Sequence, residues 1–186
     1  MKIKTNNQVL RMRDPMSLMS LKQVCSYIGN TSNMSMVEIG CYTGESTSIW
    51  CQNFKKVFAI DPWLSGKGYD ANDVASQTMS DDVESSFDTK LRPYSNFTKM
   101  KMFSYDAISN FEERSLDFVY IDGEHTYKGV KLDISLYLPK IKNGGFIGGH
   151  DYKEKWKGVI AAVDESLGHP DFVFPDKSWI KVVNHD

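Results

Sequence analysis

Residues 36–50 read MVEIGCYTGESTSIW. Four apolar or buried-type positions run into a turn bracketed by Gly40 and Gly44, and Ser46–Phe54 then reads as a helix. A strand that turns through glycines into a helix brings backbone N–H groups and a positive dipole end towards a ligand. The next apolar run, Val57 to Ile60, is a second buried strand stopped by Asp61-Pro62. Asp61 lies 21 residues after Gly40. An acidic side chain at the end of a second strand suits the two hydroxyls of a ribose. The spacing therefore points to a nucleoside. The dinucleotide pattern G-x-G-x-x-G is absent, because Tyr42 and Thr43 stand between the glycines.

Outward from this unit, strand and helix alternate. Asp14-Pro15 is a helix start, Leu18, Leu21, Cys25 and Ile28 share a helical face, and Gly29 is a stop. Residues 64–80 are polar and aperiodic, a candidate lid loop, and Asp81 to Leu91 reads as a helix. Thr98 to Phe103 is a weak strand, and Leu116 to Ile121 is a strong one. Tyr127, Val130, Ile134, Tyr137 and Leu138 recur at helical spacing. Asn143-Gly144-Gly145 reads as a turn into a strand over Phe146 to Gly149. Trp156, Ile160, Val163 and Leu167 mark a last helix, and 172–174 with 179–183 an antiparallel pair. The alternation predicts an α/β domain whose mostly parallel sheet is covered on both faces, with an antiparallel edge.

Bulk properties narrow the class. The 186 residues suit one domain spanning 1–186, with 1–33 as an N-terminal helical extension. A net charge of -2 and the lack of an aromatic-basic stripe argue against nucleic acid as the partner. No run is long enough to cross a bilayer, and the first 15 residues lack a secretory core. The three cysteines, an odd number without C-x-x-C spacing, fit a reduced, cytoplasmic setting and no structural zinc.

Ionisable residues cluster at the predicted strand ends: Glu38, Asp61, Asp122, Glu124 and His125, then His150 and Asp151. Each has a plain structural alternative. Asp122-Gly123 can be a turn, Glu124 or Thr126 a helix cap, His125 a solvated first-turn residue, and Asp151 a cap for the next helix. Lys153, Lys155 and Lys157 read as a solvated face. Tyr42 and Trp63 can pack over the sheet edge or face a bound cation.

EIGCYTG followed by AIDPW resembles the class I S-adenosylmethionine-dependent methyltransferases. The stretch 115–152, with IDGEHTY and GGHDY, is similar to a subfamily of small-molecule transferases that includes O-methyltransferases acting on sugars. The resemblance covers about residues 34–168. It implies a Rossmann-like three-layer α/β/α sandwich with a seven-stranded sheet. It implies S-adenosylmethionine held by Glu38, Gly40, Tyr42, Gly44, Asp61, Trp63, Ser104, Tyr105, Asp106 and Asp122. Catalysis falls to Asp122, Glu124, His125 and His150, and a Mg²⁺ or Mn²⁺ ion, where one is used, to Asp122, His150 and Asp151. His150 stands where metal-dependent relatives carry an acidic residue, so a metal-free histidine base is the alternative. The acceptor expected is a hydroxyl on a small polar molecule; a homo-oligomer stays open. Two rivals remain: a catalytically silent cofactor binder acting through a partner, and a nicotinamide-dependent oxidoreductase, which the missing third glycine disfavours.

Overall fold

The computed structural model describes residues 13–64 and 81–185. The expected lid loop falls almost entirely on 65–80, outside the described residues. Seven strands form one sheet in the order β3-β2-β1-β4-β5-β7-β6. They are β1 (Ser35–Ile39), β2 (Lys56–Ile60), β3 (Phe97–Met100), β4 (Leu116–Ile121), β5 (Ile141–Gly149), β6 (Phe172–Val173) and β7 (Trp179–Val182). β1 to β5 run parallel, and β7 pairs antiparallel with both β5 and β6.

The period-two alternation of the central strands sorts the core into two layers. Met36, Phe118 and Tyr120 face one side with Leu21, Val24, Trp50, Phe87 and Leu91. Val37, Ile39, Val119 and Ile121 face the other with Val130, Ile134, Val159 and Val163. The first layer is built by α1 (Pro15–Ile28), α2 (Glu45–Asn53) and α3 (Asp81–Leu91). The second is built by α5 (Tyr127–Tyr137) and α6 (Lys157–Leu167), with the short α4 (Ser104–Ala107) beside them. The α/β/α sandwich is therefore present, and the buried face of α1 packs into its first layer. Asp14 caps α1 by accepting from the Ser17 amide, as its sequence signature predicts.

Two boundaries differ from expectation. β3 ends at Met100, and Phe103 instead precedes α4. Asn143-Gly144-Gly145 is not a turn but a bulge inside the nine-residue β5. Ile141 pairs with Leu116 and Phe146 with Phe118, so the register shifts between them. Gly144 takes the positive φ (77°) that such an irregularity needs. Among the described residues, no helix is long and apolar enough to cross a membrane.

Candidate active site

The sheet order reverses between β1 and β4, and the crevice above their carboxyl ends holds a cavity of about 570 Å³. That volume suits a drug-sized ligand. Gly40, Cys41, Tyr42, Asp61, Ser104 and Tyr105 line one part; Asp122, Glu124, His125, His150 and Asp151 line the other.

Gly40 is glycine for a reason the sequence does not display. A Cβ there would lie 2.2 Å from the Asp122 carbonyl oxygen, and its φ is 85°. The residue lets the β1–α2 loop close against the end of β4. Gly44 behaves alike: it precedes α2 with φ 78°, and a Cβ would strike the Leu91 side chain at 2.4 Å. Gly44 itself is not on the cavity lining.

Asp61 joins the two loops. Its Oδ2 accepts from the amides of Cys41 (3.0 Å) and Tyr42 (2.9 Å), and its Oδ1 from the amide of Trp63 (2.8 Å). A carboxylate has about four lone-pair sites. Three are filled by backbone, so Oδ1 retains one acceptor site towards the cavity. Burial raises its pKa, and the three amides oppose that rise. Tyr42 and Trp63 both take positive φ, 47° and 41°, to aim those amides inward. Trp63 itself turns away. It is 2% exposed, packs on Phe87 at 4.7 Å and donates its indole N–H to the Tyr42 carbonyl. It cannot face a sulfonium.

Glu38 also departs from its expected contact. It is fully buried below the cavity, where it accepts from the Thr47 hydroxyl and from Trp50 Nε1 (3.0 Å). Burial pushes its pKa up to about 7 against those donors. Its work is to hold α2 onto β1. Asp106 is exposed and off the lining. Ser104 instead donates to Asp133 (2.5 Å), a buried carboxyl on α5 raised to about 7 by burial. Asp133, with Phe103 and Leu132, walls the Ser104–Tyr105 end of the cavity. Sequence reading missed Asp133 because it shares a helical face with core residues and no motif marks it.

The other rim is ionic. His125 Nε2 lies 2.8 Å from Asp151 and 3.7 Å from Asp122, and its ring stacks on Trp156 at 4.7 Å. His150 Nδ1 lies 3.3 Å from Asp151 and 3.6 Å from Asp122, and its Nε2 is 3.7 Å from Asp176. Lys153 pairs with Asp151, and Lys155 sits over the Trp156 ring at 4.7 Å; both line the cavity, so the basic run is not a plain solvated face. Asp151 holds a positive φ of 61°. Burial alone would lower the His125 pKa, but the Asp122 and Asp151 carboxylates beside it raise it well above the usual imidazole range. The same contacts depress Asp151 against its burial. The upward shift favours the protonated form of His125, which weighs against its role as the proton acceptor. Glu124 accepts from the Thr126 hydroxyl, and Thr126 caps α5 through the Gly129 amide (3.1 Å).

The contact that sequence reading missed altogether is Arg13. Its guanidinium pairs with Asp122, and its amide donates to Glu45 (2.9 Å), which pins the start of α1 onto α2. Nothing in residues 1–14 carries a pattern for this; it depends on α1 folding back across the first layer.

Donor atoms of Asp122, His125 and Asp151 lie within 4.8 Å of one another, a set that exchanges His150 for His125 in the expected metal site. The spacing suits a divalent cation. The charges do not: Asp122 already holds Arg13, Asp151 already holds Lys153, and a ligating imidazole must be unprotonated. The residues present do not fit a resident metal.

A family model described as "Methyltransferase domain" matches residues 37–152. The chain belongs to the methyltransferase-domain family. R132 of Acanthamoeba polyphaga mimivirus is 30% identical to this methyltransferase domain over 141 residues, or 72% of the chain and 59% of R132. The chain thus spans little more than half of that relative. Among solved structures, cofactor-bound Rv0187 from MTB superposes with a TM-score of 0.68 at 13% identity, covering 95% of this chain and 84% of that one. The O-methyltransferase NovP gives 0.65 at 16% identity, covering 90% and 79%. At such identities the likeness concerns the fold, and the fold is the Rossmann-like methyltransferase sandwich.

Proposed function

We propose that this domain transfers a methyl group from S-adenosylmethionine to a hydroxyl of a small polar acceptor, with a sugar as the class to try first. The observation that supports this most is the division of one cavity. Asp61, fixed by three amides, sits in one wall, and the Asp122–His150–Asp151 cluster sits in the other. The nucleoside lies along the first wall, with its ribose on Asp61 Oδ1 and its adenine beside Phe103, Tyr105 and Leu132. That pose leaves the sulfonium near Gly40 and Asp122.

Methyl transfer from a sulfonium is an in-line displacement, so the protein must align the acceptor and take its proton. His150 takes that proton. His125 and Lys153 neutralise Asp151 and hold it fixed. The cavity is a local crevice whose rim carries acidic and basic side chains together rather than an extended basic groove, which favours a small acceptor over nucleic acid.

Calorimetric titration with S-adenosylmethionine and S-adenosylhomocysteine tests the reading. Binding to wild type, lost in Asp61→Ala, supports it, and an acceptor screen with labelled methyl donor follows. A folded wild-type chain that binds neither compound overturns it. Tight binding with no product across polyols, sugars and catechols turns the reading towards a silent binder.

A further inference from the structure

We infer that Arg13 is the resident cation of this site: its guanidinium fills the position on Asp122 that a divalent ion would otherwise take, so the site works without a metal. The inference rests on reading the cavity as a methyl-transfer site, but the cation position is read from contacts alone. Arg13 and Asp122 are both nearly buried, with side chains 10% and 12% exposed. Asp122 is the guanidinium's contact, and the nearby acidic groups Glu38 and Asp176 add to the negative field that favours a cation there. Arg13 Nη1 is buried without a hydrogen-bond partner among the described residues. An orphaned buried donor is unfavourable and argues against Arg13 being there for packing. What holds it is charge. Lys153 does the same for Asp151, the other carboxylate of the converging set.

The arrangement has a consequence for the chain's start. Arg13 reaches Asp122 only because its amide is tied to Glu45 and Asp14 caps α1 immediately behind it. Arg13, two residues before α1, therefore completes the acceptor rim, although it lies far from every motif in sequence. Arg13 supplies fixed positive charge and no open coordination position, so activation of the acceptor oxygen falls to proton removal rather than to a Lewis acid.

The full chain, stripped with EDTA, is titrated with Mn²⁺ alone while the free-ion EPR signal is followed. Wild type is expected to leave that signal at its buffer value. Arg13→Gln is expected to bind an ion per chain, with affinity raised by at least about tenfold, because Asp122 is left without its counter-ion. Adding Asp122→Asn to Arg13→Gln removes that binding. Stoichiometric Mn²⁺ on wild type, lost in Asp122→Asn, overturns the inference. So does a folded Arg13→Gln chain that binds no more Mn²⁺ than wild type. Should Arg13→Gln not fold, the wild-type and Asp122→Asn arms still decide. S-adenosylhomocysteine titrations on the same samples, with EDTA and with Mn²⁺, separate the two levels. Failure to bind that compound strikes the proposed function and leaves the Mn²⁺ result standing, whereas equal affinity in both buffers is expected here.

Discussion

The two walls of the cavity solve the same problem in opposite ways. At the ends of β1 and β2, Glu38 and Asp61 are buried carboxylates satisfied by neutral donors: a hydroxyl, an indole N–H and three backbone amides. At the ends of β4 and β5, Asp122 and Asp151 are satisfied by Arg13, Lys153 and two imidazoles. Neutral backbone donors fix position and cost nothing to keep in place. They suit a wall that recognises an unreacting nucleoside. Charged side chains can exchange partners and protons, which suits the wall where a proton leaves the acceptor.

The sharpest way to break this comparison is Asp61→Ala. It orphans three amides at once, so a stability loss on the order of 3–5 kcal/mol in urea melts is expected, together with loss of S-adenosylhomocysteine binding. A loss below about 1 kcal/mol would mean that water replaces the carboxylate and that this wall is not rigid.

On the ionic wall, Asp122→Ala leaves Arg13 buried and unpaired, at an expected cost of about 3–4 kcal/mol. Replacing Arg13 by Met in the same chain is expected to recover much of that. Additive losses in the double-mutant cycle would show that the pair is not coupled.

Glu38 gives a pH test. Its folded pKa of about 7 exceeds the ordinary 4.5, so the folded state holds the proton more tightly than the unfolded one. Its contribution is fully present below pH 4.5 and is lost as pH rises to about 7. Glu38→Gln removes this slope, so its stability relative to wild type is expected to improve by up to about 3 kcal/mol between pH 4.5 and 8. Thermal melts across that range check it; a difference that stays flat would place the Glu38 charge elsewhere.

The smallest effect sharpens the contrast with exposed charge. Lys131 and Glu165 pair at 2.6 Å on the outer faces of α5 and α6, with side chains 41% and 56% exposed. Lys131→Ala is expected to change stability by less than about 0.5 kcal/mol and to leave cofactor binding unaltered.

Much of this was legible in the chain itself. Hydrophobic period decided the elements: the Asp14-Pro15 start of α1, α3 over Asp81–Leu91 and β4 over Leu116–Ile121 follow from caps and periodicity alone. Strand-end position brought Asp61, Asp122, His125, His150 and Asp151 to one cavity. These readings succeed because they depend on neighbours in sequence.

What only the tertiary structure decided depends on residues far apart. That Gly40 is needed for the Asp122 backbone, Gly44 for Leu91, and Trp63 for Phe87 is packing between elements, which no local pattern encodes. Glu38 and Asp61 share the parity of one sheet face, yet one is sealed beneath α2 while the other reaches the cavity, because Glu38 is level with Ala59 inside the sheet and Asp61 lies two residues further on, past the end of β2. Arg13 is the extreme case. The sequence by itself determined that a helix begins at Asp14, by a capping interaction spanning three residues. Only the fold decided that the residue before it meets a carboxylate 109 positions away, because burying Asp122 at the rim demands a counter-charge from whatever chain passes over it.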